Sequence, residues 1–183
     1  MPAITMPVES AAATELVLIG LGANLGDPLA QLQGALRQLE LIPGCRMLRC
    51  SPIYRTAPWG DLDQADFLNA VAAFAVACSP RALLKQLLAL ELSMGRVRTG
   101  RRYGPRTLDL DILSFGERRL DATALTLPHP RISERAFVLV PLLDLASTFK
   151  QLPAAQWREH LSKLAHADVV RLHAPDLLPT LDA

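Results

Sequence analysis

The residues best suited to chemistry lie in one segment, 95–111, which reads GRVRTGRRYGPRTLDLD. It carries an arginine cluster with no acidic residue among its members: Arg96, Arg98, Arg101, Arg102 and Arg106. Two aspartates follow at once, Asp109 and Asp111. Guanidinium groups bind phosphate oxygens in bidentate pairs, and carboxylates are ligands that Mg²⁺ accepts alongside phosphate. The segment therefore predicts a polyphosphate site, against the plainer interpretation of a solvated basic loop before a half-buried strand.

The two aspartates alternate with apolar residues over a run of strand length. Side chains alternate along a strand, so both carboxylates are expected on one face, with Leu108, Leu110 and Ile112 on the other. Residues two apart on a strand lie roughly 7 Å from each other. Carboxylates at that separation can share one or two Mg²⁺ ions. We therefore predict that a strand at 107–115 presents a metal-binding pair.

Length and composition favour one soluble globular domain. The chain has 183 residues, half of them apolar, and a formal net charge of +1. That balance argues against bulk nucleic-acid binding, and no apolar run reaches the roughly 20 residues that span a bilayer. We expect a disordered extension at 1–15, one domain at 16–166 and a tail at 167–183. Three cysteines without C-x-x-C spacing indicate free thiols in a reducing compartment, which predicts a cytoplasmic protein.

Hydrophobic patterning predicts the elements that position this segment. They come in the order strand, helix, strand, strand, helix, strand: 16–22, a helix opened by Asp27-Pro28, 46–55 with an edge or a bulge indicated by Pro52, 67–78, a helix from Ser79-Pro80 to Gly95, and 107–115. Composition alone leaves a helix open for 67–78. The order is the ferredoxin-like split βαβ pattern. We therefore predict an α+β fold whose antiparallel sheet carries helices on one face, while loops and an added C-terminal region cover the other.

Several local predictions accompany this fold. The second helix is expected to turn one apolar stripe inward, formed by Leu83, Leu84, Leu87 and Leu88. Glu91 falls on the same stripe, so it either has a cationic partner or reaches solvent at the rim. Cys45 and Cys50 are five residues apart, which places them on opposite faces of a strand. We also expect a short return strand at 118–120 and an amphipathic helix at 154–165.

A set of short motifs in fixed order resembles one enzyme family. The matching text is GLGANL (20–25), SPIYRT (51–56), FLN (67–69), GRVR (95–98), GPRTLDLD (104–111), PH (128–129) and RAF (135–137). On these residues the chain is similar to the 6-hydroxymethyl-7,8-dihydropterin pyrophosphokinases, which move pyrophosphate from ATP to a pterin alcohol in folate biosynthesis. The resemblance covers about residues 16–146, and GPRTLDLD is its most specific part.

The resemblance implies a phosphate-binding and catalytic end. Asp109 and Asp111 would hold two Mg²⁺ ions, with ATP as co-substrate attacked in line at its β-phosphorus. Arginines implied at the phosphates and in catalysis are Arg96, Arg98, Arg102 and Arg106. Further residues implied in ATP binding are Glu91, Ile112, Thr126, His129 and Arg135. His129 lies between two prolines, so a structural turn residue is the alternative for it.

The resemblance also implies a pterin pocket. A flat bicyclic ring needs aromatic faces to stack on and amide groups to pair with its edge. Phe67 and Phe137 would stack on the ring, although core packing is the commoner fate of phenylalanine. Asn69 shares the strand face of Phe67 and would pair with the ring edge. The other residues implied at the pterin are Thr56, Ala57, Pro58, Trp59 and Tyr103.

Some positions depart from the family pattern and concern substrate affinity more than reaction type: Ala57, Phe67, Leu88, Thr99 and Tyr103. Two loops that contain Gly or Pro, 57–66 and 97–104, are expected to close over the substrates, and we name them the lid loops.

The implied partners are small molecules, with no nucleic acid or membrane, and the protein is expected to be a monomer. The competing classes are another two-metal nucleotidyl or phosphoryl transferase and an RNA-binding module on the same fold.

Overall fold

Strands and helices alternate through the computed structural model, which describes residues 13–58, 60, 62–96 and 104–172. The strands are β1 (Glu15–Ala23), β2 (Cys45–Cys50), β3 (Tyr54–Thr56), β4 (Phe67–Val76), β5 (Asp109–Phe115), β6 (Leu120–Ala122), β7 (Leu125–Leu127) and β8 (Val170–Arg171). The helices are α1 (Pro28–Glu40), α2 (Pro80–Ser93), α3 (Ala136–Ala146) and α4 (Ala154–Leu161), with a 3₁₀ helix at Ile132–Glu134. The predicted order of elements is present, and 67–78 is a strand for most of its length.

Within the described residues, β1 lies at the centre of a six-stranded sheet with the path β5-β1-β4-β3-β8. It pairs antiparallel with β4 on one side and with β5 on the other. The long strand β4 pairs with β3 through its first residues and with β2 through its second half. A central first strand between the fourth and fifth, with α1 and α2 as crossovers, is the ferredoxin-like arrangement. The predicted α+β fold class is therefore confirmed.

Different helices cover the two faces of the sheet. One buried cluster joins α1 and α2 to the central strands and includes Leu36, Leu87, Ile19, Phe74 and Leu110. A second cluster joins α3 and α4 to the opposite face and includes Leu139, Trp157, Leu18, Val71 and Leu113. Burying each large apolar side chain contributes on the order of 2 kcal/mol, so both layers are held firmly to the sheet. The C-terminal helices therefore cover only part of the second face, which is the face that carries the site.

The first two helices begin as their sequences predict. Asp27 accepts a hydrogen bond from the amide of Ala30 at 3.0 Å, and Ser79 caps α2 in the same way. The predicted inward position of Leu88 is wrong, because 41% of this residue is exposed. The buried stripe instead continues from Leu87 to Leu90 and Glu91, since Leu88 is turned about 100° away from Leu87 on the helix. Within the described residues, no helix combines the length and apolarity needed to cross a bilayer.

The segment 46–55 was predicted as one strand with an edge or a bulge at Pro52, but it is divided into β2 and β3 around that proline. A register shift between Met47 and Arg49 adds one residue to β2. As a result Cys45 and Cys50 both pack against the cluster beneath α1 and α2. The prediction that they occupy opposite faces is wrong, because a bulge shifts the alternation of side chains by one position. Both cysteines are free thiols.

The C-terminal third differs from its prediction in two places. The expected return strand at 118–120 is absent from the described structure, where β6 pairs with β7 as a separate two-stranded hairpin. The apolar stretch after Arg135 forms α3, and α4 ends at Leu161, earlier than expected. Residues 170 and 171, predicted to lie in a tail, form β8 and pair with β3. One short strand therefore lies within 167–183, and the predicted domain limits stay a prediction.

Candidate active site

Two glycines in the middle of β1 form the floor of a cleft on the second face of the sheet. Gly22 stands opposite Asp109 of β5 on one side and Asn69 of β4 on the other. Gly20 stands in the same way opposite Asp111. Cross-strand partners in antiparallel strands share a face, so the two glycines leave open space between the aspartates and Asn69. The cleft is open to solvent, and its empty space, including the open part, amounts to about 690 Å³.

Most of the predicted site residues that the structure describes meet in this cleft. Those that line it are Thr56, Ala57, Phe67, Asn69, Arg106, Asp109, Asp111, Arg135 and Phe137. The other lining residues, which the sequence did not single out, are Gly20, Leu21, Gly22, Leu113 and Val138. The two aspartates share a face as predicted, with Leu108, Leu110 and Ile112 in the core behind them. Residues more than 100 positions apart are thus brought into one site.

Asp109 is held by two arginines. One carboxylate oxygen, Oδ1, lies 2.6 Å from a guanidinium nitrogen of Arg96, and the other, Oδ2, lies 2.6 Å from Arg106. All three side chains are at least three-quarters buried. At this burial an ion pair is less screened by salt than a surface pair. The pair of arginines therefore fixes the orientation of the Asp109 carboxylate at the edge of the cleft.

Glu91 supports this arrangement from beneath. Its side chain is only 2% exposed, and its Oε1 atom accepts a hydrogen bond from the backbone amide of Leu110 at 2.8 Å. It also binds the guanidinium of Arg96. Of the two alternatives for this residue, the buried carboxylate with an arginine partner is the correct one. Glu91 anchors both the strand that carries the aspartates and the arginine that holds Asp109.

Asp111 has a different electrostatic environment. Desolvation and, second, the neighbouring charge of Asp109 raise its pKa, although 39% of its side chain is still exposed. Its partner is Arg135, whose Nη1 lies 3.3 Å from Asp111 Oδ2. His129 lies close enough to interact electrostatically with Asp111, and burial lowers the pKa of the imidazole. A carboxylate that lines a cleft and a neighbouring histidine, with pKa values shifted in opposite directions, are a mark of functional sites.

His129 also has a structural role. Its Nδ1 accepts a hydrogen bond from the amide of Arg131 at 3.1 Å. Its own amide donates to the carbonyl of Leu113 at 2.8 Å, which ties the loop to β5. The neutral ring therefore carries its proton on Nε2. Both interpretations of His129, as a structural turn residue and as an ATP-binding residue, are compatible with this geometry.

The other end of the cleft is aromatic and amide in character. Phe67 and Phe137 are half-buried and line the cleft, and Phe137 also packs against the apolar cluster beneath α3 and α4. Asn69 is 7% exposed, and its Nδ2 donates to Thr56 Oγ1 at 2.7 Å. The guanidinium of Arg135 lies 5.7 Å from the ring centre of Phe137. Arg135 therefore connects the aromatic end with the acidic end.

Several predicted site residues lie elsewhere. The side chain of Ile112 is 3% exposed in the core under α1 and α2, so any contact it makes with a ligand is through its backbone. Thr126 is on β7 and Pro58 follows the cleft residue Ala57, and neither lines the cleft. Four predicted residues lie outside the described part of the chain: Trp59, Arg98, Arg102 and Tyr103.

The residues missed by sequence reasoning are those without reactive groups. The predicted strand 16–22 already contained both glycines, and β1 ends one residue later at Ala23, but neither glycine was assigned a part in the site. Two glycines spaced by two inside a strand place two absent side chains on one face, which is a signal for close approach of a ligand. Asn24 was also overlooked as a possible site residue, although it is 5% exposed and polar.

The fold and the site together define an α+β enzyme whose cleft sets an arginine-bound acidic pair beside an aromatic pocket. A family model described as 7,8-dihydro-6-hydroxymethylpterin-pyrophosphokinase (HPPK) matches residues 18–147. The chain belongs to this family of pyrophosphokinases. The predicted resemblance is therefore confirmed.

Relatives and solved structures agree with this assignment. The chain is 43% identical over 154 residues to a 2-amino-4-hydroxy-6-hydroxymethyldihydropteridine pyrophosphokinase of Methylorubrum extorquens, covering 84% of this chain and 96% of that protein. The protein of the same name from Pseudomonas aeruginosa is 47% identical over 151 residues, covering 82% and 90%.

Among solved structures, an HPPK-DHPS in complex with substrates gives a TM-score of 0.58 at 15% identity, covering 82% of this chain and 43% of that one. A Plasmodium falciparum HPPK-DHPS gives 0.61 at 13% identity, covering 85% and 46%. The chain thus spans less than half the length of these two proteins, and at such identity they show the fold alone.

Proposed function

We propose that this protein transfers the pyrophosphoryl group of ATP to the hydroxyl of 6-hydroxymethyl-7,8-dihydropterin, releases AMP, and so serves folate biosynthesis. The observation that carries the proposal is the single cleft in which Asp109 and Asp111 face Asn69 across two side-chain-free positions of β1. Family membership supports the same reaction. One end of the cleft suits phosphates and the other suits a flat heterocycle.

The phosphate end would bind ATP through guanidinium groups. Arg106 and Arg135 line the cleft, and Arg96 adjoins it through Asp109. Planar guanidinium groups bind phosphate oxygens in pairs and remain charged at all physiological pH values. These arginines would orient the β-phosphorus towards the pterin hydroxyl and stabilise charge on its oxygens during in-line attack. Arg98 and Arg102, also expected at the phosphates, remain predictions.

The pterin end would select its substrate by shape and hydrogen bonding. The half-buried rings of Phe67 and Phe137 offer faces for stacking. The buried amide of Asn69 is held in place by Thr56, so it would meet the ring edge already oriented. A site with fixed, desolvated polar groups rejects analogues that leave those groups unpaired. Trp59 and Tyr103 remain predictions for this pocket.

The side chains present fit Mg²⁺, and we propose that Asp109 and Asp111 hold two such ions. Asp109 and Asp111 leave the same face of β5 as a pair, and no group of three or more His, Cys, Asp or Glu suited to a metal occurs in the described part of the chain. Mg²⁺ commonly takes one or two carboxylates and completes its shell with water and substrate phosphate. Burial and, second, the neighbouring charge of Asp109 raise the pKa of Asp111, and a divalent cation bound between the two carboxylates would offset both effects. The chemistry supplied by bound Mg²⁺ is charge neutralisation at the phosphates and a lowered pKa of the pterin hydroxyl.

The test is a measurement of AMP release from ATP with and without 6-hydroxymethyl-7,8-dihydropterin. We expect pterin-dependent AMP, with 6-methyl-7,8-dihydropterin as a matched control that fills the pocket but has no hydroxyl to attack. Release of ADP, or of inorganic pyrophosphate, would instead assign a different phosphoryl or nucleotidyl transferase. No turnover, with RNA bound to the sheet face, would favour the RNA-binding alternative. The monomeric state, the cytoplasmic location and the domain limits remain predictions.

A further inference from the structure

Tyr54 of β3 is a buried tyrosine that does not line the cleft. Its side chain crosses from the sheet to α3, where the hydroxyl donates to Asp144 Oδ2 at 2.5 Å. The two residues are 90 positions apart in the chain. Burial and, second, the bond to Asp144 raise the pKa of Tyr54, so the hydroxyl keeps its proton and remains a donor at physiological pH. Hydroxyl bonds of this length to a carboxylate are among the strong ones in proteins.

The strand end of this bond carries the hydrogen-bonding part of the pterin pocket. Thr56 is two residues beyond Tyr54, so its side chain leaves the same face of β3. Tyr54 stands opposite Asn69 of β4, and Asn69 Nδ2 donates to Thr56 Oγ1 at 2.7 Å. The strand β3 has three residues, so its ladder with β4 is short. A displacement of Tyr54 would therefore be passed on to Thr56 and to the amide that Thr56 holds.

The helix end of the bond carries the stacking part of the pocket. Phe137 is the second residue of α3 and lines the cleft. Asp144 follows seven residues later, close to two helical turns, so both side chains leave α3 on nearly the same side, about 10 Å apart along its axis. The helix also packs on the sheet through apolar side chains such as Leu139 and Leu142, and such contacts have no preferred direction. The bond from Tyr54 is directional, so it constrains where α3 stands relative to β3.

We propose that Tyr54 and Asp144 are positioning residues for the pterin, because their hydrogen bond sets the separation between the ring of Phe137 and the amide of Asn69. The proposal rests on the proposed function, since it assumes that the pterin lies between these two groups. Groups that contact a ligand must be held within roughly 0.5 Å of the productive geometry by the residues that support them. Without the bond, one position of the ring would no longer satisfy both stacking and edge hydrogen bonding. The strand β5, which carries the acidic end, is separated from β3 by β1 and β4, so nucleotide binding should be spared.

The experiment is calorimetric titration with 6-hydroxymethylpterin in saturating Mg²⁺-α,β-methylene-ATP, and with the nucleotide analogue by itself. Tyr54→Phe removes the hydroxyl and keeps the ring. We expect its pterin affinity to fall roughly tenfold, the size of one hydrogen bond to a charged group, and its nucleotide affinity to change by less than about twofold. Asp144→Ala should match Tyr54→Phe, and the double variant should lose no more than either single one. Asp144→Asn keeps an acceptor for the hydroxyl, so it should lose less.

A second background separates positioning from a purely structural role. In Phe137→Ala, the change Tyr54→Phe should weaken pterin binding by less than about twofold further, because the ring that the bond positions is gone. Ser147→Ala is the matched control. Ser147 is exposed at the end of α3 and donates to the backbone carbonyl of Asp144 at 2.6 Å, so this variant removes a hydroxyl bond at the same place that does not reach the sheet. It should keep the wild-type pterin affinity.

The outcomes distinguish this proposal from the proposed function. If Tyr54→Phe and Asp144→Ala lower the free energy of unfolding in urea but keep pterin affinity within about twofold of wild type, the bond only stabilises the fold and the proposal is overturned. A loss from Tyr54→Phe that is as large in Phe137→Ala as in the wild type overturns it too. Wild-type protein that does not bind the pterin overturns the proposed function instead. If Asp144→Ala is unfolded by circular dichroism, the Tyr54→Phe results decide.

Discussion

A methyl group at Gly22 should disable the pterin end of the cleft selectively. A Cβ atom built on Gly22 would lie 2.9 Å from Asn69 Oδ1, closer than real Cβ contacts come. Within the described part of the chain, and leaving aside the two residues adjacent to Gly22, the Asn69 side chain is the only group within 4 Å of that atom. Asn69 is not free to rotate away, because its Nδ2 is bound to Thr56 in a buried pair. Relief of the clash therefore moves the Asn69 side-chain amide away from the position in which it binds Thr56.

The magnitude follows from the hydrogen bonds at stake. Two amide hydrogen bonds to the pterin edge, at about 1 to 1.5 kcal/mol each, give a loss of about 2 to 3 kcal/mol. This corresponds to roughly 30- to 150-fold weaker pterin binding. Nucleotide affinity should change far less, because Asp109 is outside the reach of the new methyl group.

Calorimetry with 6-hydroxymethylpterin and Mg²⁺-α,β-methylene-ATP measures both affinities of Gly22→Ala. Gly20→Ala is the matched control, since its Cβ meets only Leu113 side-chain atoms at 3.5 to 3.6 Å, an ordinary contact. Gly20→Ala should therefore weaken pterin binding by a factor of less than about ten. In an Asn69→Ala background, Gly22→Ala should add little further loss, because the clashing group is gone. Pterin binding by Gly22→Ala within about threefold of wild type would refute the assigned role of Asn69.

Three further outcomes are expected. Glu91→Ala should lower the free energy of unfolding by about 3 kcal/mol in urea titrations, because it leaves the Leu110 amide and the buried side of Arg96 without this acceptor. Glu91→Gln keeps an acceptor and should lower the free energy of unfolding less. A loss below about 1 kcal/mol for the alanine variant would contradict this role. Asp111→Ala should abolish Mg²⁺-dependent AMP release and weaken Mn²⁺ binding while its circular dichroism stays native, and an active variant would disprove the metal assignment. Both lid loops should gain protection from hydrogen exchange when the ATP analogue and pterin bind together, and unchanged protection would argue against closure.

Local sequence signals correctly predicted those features that depend only on residues nearby in the sequence, such as the starts of helices. Asp27-Pro28 and Ser79-Pro80 begin helices wherever they precede an apolar stripe, since a cap needs only the next turn of backbone. The alternation of Asp109 and Asp111 fixed their common face for the same reason. Glu91 was left open because its partner depends on tertiary packing, which spacing does not reveal.

The features that escaped prediction depend on how strands align. The bulge in β2 changed the face of Cys50: Pro52 had indicated an edge or a bulge in this segment, but the register shift lies earlier, between Met47 and Arg49. The floor of the cleft arises because Gly20 and Gly22 come into register with β4 and β5, whose residues are far away in the chain. Register is set by pairing across the whole sheet, so the role of a glycine in a strand can be inferred only when its cross-strand partners are known.

The double arginine contact with Asp109 has a consequence for how the protein responds to salt. In the resting molecule these guanidinium groups already have a carboxylate as counter-ion, so the cleft is closer to neutral than its arginine count suggests. Arrival of a polyphosphate then exchanges one anion for another at the same cations. Such an exchange releases fewer bulk ions than binding to bare cations does. The affinity for ATP should therefore fall less steeply with ionic strength than an exposed cluster of arginines would dictate.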